Sequence, residues 1–205
     1  MPKITSEDYR DYVIKDGKFI GAFEEMYQNC EDPWHQDELS PYANELVLWE
    51  IAKGKYKTIL DVGCGLGKFT HQIWQATKAN VIGVDVSPTA IQKAKARYPN
   101  VDYRVADVCS LNFQQESFDL IVASELLWYI LPRLQQFFDG VLSVLRQDGE
   151  FIIIQQFYLP GEQKYGCEIM QSPEDLIRLL PLRVFRAIEI DRLHQYKAIL
   201  FAKKK

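Results

Sequence analysis

From residue 58 onward the chain alternates short runs of branched apolar residues with stretches in which apolar positions recur every three or four residues. Continuous apolar runs mark strands buried on both faces, and the periodic stretches between them mark helices, so the pattern predicts parallel strands joined by crossover helices. It places strands at 58–62, 80–84, 101–105, 118–123 and 150–156, with helices at about 67–77, 88–97 and 132–146. Ser87-Pro88 supplies a capping residue followed by proline in the first turn of the second helix, and Gln147-Asp148-Gly149 reads as the turn into the fifth strand. The pattern changes near the end. Arg183 to Asp191 and Tyr196 to Lys203 are two strand-like runs with only a short polar turn between them, which predicts an antiparallel hairpin. Residues 1–50 carry no strand pattern and are expected to form helices that cap the sheet; 157–182 reads as a connection with one short helix after Ser172-Pro173.

Length and composition narrow this picture. At 205 residues and 47% apolar, the chain can bury the core of one α/β domain and is too short for two comfortable ones, so 1–205 is read as a single domain, with 1–50 as its helical cap and 58–205 as its core. The formal charge is −4, and the only basic block is Lys203-Lys204-Lys205, which reads as a solvated terminus. Nucleic acid is therefore not expected as a partner, because neutralising phosphates takes a clustered basic face. Cys30, Cys64, Cys109 and Cys167 form no Cys-x-x-Cys pair, so neither structural zinc nor a disulfide framework is expected, and reduced thiols in the cytoplasm are the default. The first residues lack an apolar leader, and the longest apolar run, Leu120 to Leu131, is broken by Ser124 and Glu125, so no membrane segment is expected.

The chemistry concentrates at Thr58-Ile59-Leu60-Asp61-Val62-Gly63-Cys64-Gly65-Leu66-Gly67-Lys68-Phe69, a buried strand running into a glycine-rich turn that opens a helix. Three glycines at alternate positions let the backbone turn sharply and come close to a ligand. The sixth place counted from Gly63 is Lys68, so the Gly-x-Gly-x-x-Gly dinucleotide fingerprint fails; Asp-x-Gly-x-Gly-x-Gly describes the segment better. Cys64 reads as a small filler in this loop. In an open parallel sheet ligands bind beyond the carboxyl ends of the strands. Asp85, in Val84-Asp85-Val86-Ser87, stands there 24 residues after Asp61; Asp107-Val108 and Ser124-Glu125 follow the next two strands in the chain. Any one of these acids could be a helix cap; four in register point to one ligand.

These motifs resemble those of the class I S-adenosylmethionine (SAM)-dependent methyltransferases. The resemblance implies a Rossmann-like α/β fold class with a seven-stranded sheet in the order 3-2-1-4-5-7-6, strand 7 antiparallel, and SAM as cofactor with S-adenosylhomocysteine (SAH) as product. It implies that Gly63, Cys64, Gly65 and Gly67 cradle the methionine part, that the Asp85 carboxylate accepts the ribose hydroxyls with Val86 next to it in the cofactor-binding set, that Asp107 meets the adenine amino group while Val108 packs on the ring, and that Ser124 and Glu125 lie beside the methionine end. Asp61 belongs to the same set. No metal is expected: the segment after the fourth strand shows no acidic cluster and no Asp/Asn-Pro-Pro-Tyr/Phe motif, which favours a small-molecule methyl acceptor. Tyr27 followed by Asp32-Pro33-Trp34, together with Ser124-Glu125-Leu126-Leu127-Trp128-Tyr129, is similar to the NodS-like nodulation N-methyltransferases and their thiopurine methyltransferase relatives. Trp34 then either closes over the sulfonium, where an aromatic face stabilises a cation, or is a core tryptophan after a proline turn. Glu125 is the candidate base or acceptor-orienting group, followed by His35 and Tyr129; His194 reads as a solvated loop residue. Tyr27, Tyr42, Trp128, Tyr129, Phe157, Tyr158 and Tyr165 are candidates for an acceptor pocket. The expected activity is methylation of N or O on a sugar or secondary metabolite. Thiol, carboxyl or macromolecular methylation, and a non-catalytic SAM-binding subunit, stand as alternatives. Oligomeric state is left open.

Overall fold

The computed structural model describes residues 6–35, 42–158, 161–192 and 195–205. Its elements are β1 (Ile14–Lys15), β2 (Lys18–Phe19), α1 (Phe23–Asn29), α2 (Tyr42–Ile51), β3 (Thr58–Val62), α3 (Lys68–Thr77), β4 (Asn80–Asp85), α4 (Pro88–Arg97), β5 (Asp102–Val105), β6 (Phe118–Ser124), α5 (Leu134–Val144), β7 (Leu145–Phe157), α6 (Pro173–Leu179), β8 (Arg183–Arg192) and β9 (Gln195–Lys203). The main sheet has seven strands in the order β5-β4-β3-β6-β7-β9-β8. β9 runs antiparallel to both β7 and β8, whereas β3 to β7 pair in parallel. This is the Rossmann-like order that the methyltransferase resemblance implies.

Strand alternation divides the core into two layers. In β3, Leu60 and Val62 face the layer that holds Phe137, Phe138 and Val141 of α5 and Leu176 of α6. Ile59 faces the opposite layer, built on Val47 and Ile51 of α2, Phe69 and Ile73 of α3, and Ile91 and Ala94 of α4. Asp61 has the parity of Ile59, and its carboxylate accepts a hydrogen bond from the Thr70 hydroxyl of α3 at 2.6 Å. The helix ends follow local chemistry. Ser87 caps α4 with Pro88 in the first turn, and Ser172 with Asp175 forms a capping box on α6.

Two expectations need correction. Residues 1–50 are not strand-free, because β1 and β2 form a short antiparallel hairpin. Its turn is Asp16-Gly17, both at positive φ (52° and 73°), the conformation that Asp-Gly adopts in two-residue hairpins. Nor does all of this region cap the sheet. Met26 and Tyr27 of α1 pack with Tyr12 and Val13 onto Leu66 and Ala90, at the glycine loop and the start of α4. The second correction concerns Gln147-Asp148-Gly149, which lies inside β7. Phe118 pairs with Leu145 and Leu120 already with Glu150, so the intervening residues bulge outward within the strand.

Asp119 anchors the opposite end of the sheet. Its carboxylate accepts from the backbone N–H groups of Lys57 and Thr58, both at 2.8 Å, and from the Thr58 hydroxyl at 3.1 Å, and pairs with Arg146 at 2.6 Å. Burial raises its pKa, but the Thr58 and Lys57 amides and Arg146 outweigh this, and the net shift is downward. Asp119 therefore stabilises the fold above its unfolded value of 3.8, and this contribution disappears as pH falls through the lower folded value. Asp119→Ala is expected to lower stability by about 2 kcal/mol at pH 7 in urea unfolding, with the loss shrinking below about pH 4. A pH-independent difference would overturn this role.

Candidate active site

The glycine loop leaves β3 because Gly63 and Gly67 take φ of 75° and 81°, a left-handed conformation that side chains strain to reach. Space is also closed to a side chain. A Cβ on Gly63 would lie 2.9 Å from a Leu126 methyl carbon, and one on Gly67 2.7 Å from the Tyr103 hydroxyl. The N–H groups of Gly63 and Cys64 bond to the Val84 carbonyl, which joins the loop to β4. Asp85 completes that join: its carboxylate accepts from the Gly65 N–H at 2.9 Å and the Ser87 N–H at 3.0 Å. Burial pushes the Asp85 pKa up, against the opposing pull of the Ser87, Gly65 and Val86 amides. Burial likewise drives the Cys64 thiol well above its ordinary range, which keeps it protonated and unreactive.

Beside this join, Val86 and Val105 leave about half their surface exposed (51% and 53%) at adjacent strand ends, whereas Val108 is buried in the α5 layer. Asp107 caps the turn at Val108–Ser110 through the Cys109 N–H and pairs with Arg133 at 2.8 Å. Ser124 contacts Asn44 of α2 at 3.5 Å. Glu125 sits at positive φ (56°), with one carboxylate oxygen 2.7 Å from Lys197 of β9 and the other accepting the Gln156 N–H at 2.8 Å.

The N-terminal segment covers the loop from outside. The Glu24 carboxylate accepts from the hydroxyls of Ser87 and Thr89, and Lys93 donates to the carbonyls of Tyr27 and Cys30. The Trp34 indole N–H donates to the Tyr27 hydroxyl at 2.8 Å, and the Trp34 ring lies 5.0 Å from Tyr9 and 5.5 Å from Tyr129. His35 is exposed with φ of 52° and takes its backbone bond from N–H to the Asp32 carbonyl. Thus Asp61, the glycines, Cys64 and Asp85 form one cluster, Trp34 and Tyr129 a second beside it, and Asp107 and Glu125 are held by basic partners. His194 lies outside the described residues. Of the aromatic candidates, Trp128, Tyr129, Tyr158 and Tyr165 line a cavity of about 280 Å³, Tyr27 and Phe157 are core, and Tyr42 is exposed on α2. A larger concavity of about 560 Å³ lies at the opposite end of the sheet, where Asp119 and Glu150 are paired with Arg146 and Lys203, so it is not at the ligand-binding end.

Glu24, Asn44, Arg133 and Lys197 were not singled out by sequence reasoning. Only Glu24 carried a signal, as an acid in the first turn of a helix preceding the Asp-Pro-Trp turn. Among the described residues no group of three or more His, Cys, Asp or Glu is arranged to hold a metal ion.

The residues fit a nucleoside-bearing cofactor: a loop closed to side chains, a buried carboxylate with lone pairs left at the next strand end, and exposed apolar surface on the strand beyond. A family model for the methyltransferase domain matches residues 59–149. The likeness to methyltransferase domains is carried by this stretch of the chain, from β3 into β7. It is similar to nodulation protein S of Sinorhizobium fredii, 30% identical over 132 residues that cover 60% of each chain. It is also similar to the O-methyltransferase cnsE of Penicillium expansum, 28% identical over 80% of this chain and 66% of that one. The fold matches the crystal structure of the N-methyltransferase NodS from Bradyrhizobium japonicum in complex with SAH, with a TM-score of 0.68 and 21% identity over 85% of this chain and 93% of that one. The chain spans about half the length of the curated relatives it matches. No helix among the described residues is long and apolar enough to cross a membrane.

Two predictions follow from this geometry. Burial first, and the nearby Asp85 charge, push the Asp61 pKa up to about 7 against the pull of the Thr70 hydroxyl. A raised folded value means that stability is fullest below the unfolded value of 3.8 and declines as pH rises through about 7. The melting temperature is expected to fall between pH 5 and 8, and Asp61→Asn to flatten that slope; an unchanged slope would exclude Asp61 as its source. Lys197 has a side chain only 11% exposed, against 36% for Glu125. Glu125→Ala should cost about 2 kcal/mol, discounted for its partial exposure. In the Lys197→Met background the cost should be less; additive losses would mean the pair is not coupled.

Proposed function

We propose that this protein transfers a methyl group from SAM to a nitrogen or oxygen of a small molecule. The observation that carries the reading is Asp85, a buried carboxylate at the end of β4 that also holds the Gly65 amide of the loop from β3. Bound SAM supplies a methyl group already activated by its sulfonium, so the chain has to hold, orient and dehydrate. Orientation alone is worth about 7–11 kcal/mol in favourable cases. In this reading the Gly63–Gly67 loop approaches the methionine part, Asp85 accepts the ribose hydroxyls, Val86 and Val105 cover the adenine, and Asp107 turns an oxygen to its amino group beside Arg133. Ser124 and Asn44 border the methyl end, and Trp34 with Tyr129 walls it from water.

Glu125 is assigned here to positioning rather than to proton transfer, because both its oxygens are taken by Lys197 and the Gln156 amide. Tyr129 orients the acceptor; burial holds its hydroxyl above the ordinary phenol range, which suits a donor and not a base. His35 borders the entrance through the Asp32–His35 turn. The net charge of −4 argues against a nucleic-acid partner, the unpaired state of the four cysteines supports a cytoplasmic location, and the chain is taken to act as one domain.

Asp85→Ala is expected to weaken SAH binding by about 2 kcal/mol, roughly thirtyfold, by calorimetry. Unchanged affinity would remove the ribose assignment. Purified protein given methyl-labelled SAM and a fractionated cell extract should place label in a small-molecule pool; label confined to polymer would overturn the acceptor class.

A further inference from the structure

We infer that the cavity between the N-terminal hairpin and the segment after β7 is the acceptor site, and that it takes an uncharged, flat aromatic amine; this rests on the methyl-transfer reading above. The cavity, about 280 Å³, is smaller than the roughly 300–1,000 Å³ of pockets for drug-sized molecules, and suits one or two fused rings. Its walls are aromatic: Tyr9, Trp128, Tyr129, Tyr158 and Tyr165. The Trp128 and Tyr158 rings lie 5.7 Å apart, and Tyr129 touches Trp34 on the cofactor side at 5.5 Å. Ring faces from both the N-terminal segment and the post-β7 segment select a planar guest by stacking.

Among the described residues no buried charge lines the cavity to pair with an ionic guest. The charged residues that line the cavity, Arg10, Lys164, Asp16 and Glu162, are all exposed at its mouth, with both signs equally represented. Arg10 is moreover paired with Asp8 at 3.0 Å. A protonated aliphatic amine, such as that of an amino sugar, would lose its hydration among aromatic walls without a buried counter-charge.

Proton chemistry narrows the class again. Burial raises the pKa of Tyr129, Tyr158 and Tyr165, so their hydroxyls stay protonated near neutral pH. Glu125, which precedes the lining residues Trp128 and Tyr129 in the chain, is held by Lys197 and the Gln156 amide. The two carboxylates that line the cavity, Asp16 and Glu162, are exposed to water, and among the described residues no imidazole lines it. A phenol or an alkylammonium must lose a proton before it attacks, whereas an aromatic amine offers a free lone pair without charge. That lone pair takes the methyl carbon of SAM, the electron pair of the broken C–S bond stays on sulfur to give SAH, and the methylated nitrogen then releases a proton to water.

The test compares an aminoquinoline, a naphthol and glucosamine on the wild-type protein. Calorimetry on the protein–SAH complex should show the aminoquinoline binding at least about tenfold more tightly than glucosamine, and labelled SAM should methylate it faster than either other probe. Tyr158→Ala should weaken aminoquinoline binding about tenfold while Tyr158→Phe preserves it, with SAH affinity equal in all three proteins. Preference for glucosamine or the naphthol, or an aminoquinoline affinity indifferent to Tyr158→Ala, would overturn the inference. Tight SAH binding with no binding of the aminoquinoline would sink this inference alone, whereas failure to bind SAH would sink the methyl-transfer reading beneath it.

Discussion

The Asp85 carboxylate holds the glycine loop of β3 to the start of α4 through the Gly65 and Ser87 amides, and the ligand-facing edge of the molecule depends on that join. A loop with left-handed glycines has little stiffness of its own, since glycine loses more conformational freedom on ordering than any other residue. The bonds from Gly63 and Cys64 to Val84, and from Gly65 to Asp85, supply what the loop lacks. They do so at the cost of burying a carboxylate next to a second one, Asp61, and both acids are pushed up in pKa by that burial. Two buried acids with raised pKa values gathered at the strand ends mark this edge as a functional-site candidate.

The N-terminal segment is part of this arrangement. Glu24 binds the Ser87 and Thr89 hydroxyls at the start of α4, so the same short stretch of chain is gripped from inside by Asp85 and from outside by Glu24. Several hydrogen bonds offset the burial of Glu24, and its pKa ends below the ordinary carboxylate value despite the desolvation that raises it. Through Trp34 and Tyr27 this segment also supplies one side of the wall shared with Tyr129, so the entrance is built from residues distant in sequence.

What was legible in the sequence was local. β3, β4 and β6 declare themselves by apolar runs ending in glycine or acid, and the loop between β3 and α3 by glycines at alternate positions. The Asp16-Gly17 hairpin carried an available turn signal, but its flanking apolar pairs are too short to read as strands. The bulge in β7 could not be told from a turn, because Gln147-Asp148-Gly149 has the same composition in both. The exposure of Val105 carries no sequence signal, since it arises at the end of a four-residue edge strand, a matter of sheet position and not of residue type. Lys197 was hidden most thoroughly, lying in a strand on the far side of the chain from its partner Glu125.

That last pairing changes the chemistry more than any other tertiary contact. A glutamate after β6, read alone, is a candidate base. With the Lys197 ammonium at 2.7 Å on one carboxylate oxygen and the Gln156 amide at 2.8 Å on the other, both of its oxygens are engaged within the fold. Because Glu125 also sits at positive φ, the ion pair holds a strained backbone at the point where the chain turns from β6 toward Trp128 and Tyr129. On the proposed reading, catalysis would come from holding the acceptor against an activated methyl group in a water-excluding aromatic wall, and the burden of being nucleophilic would fall on the acceptor itself.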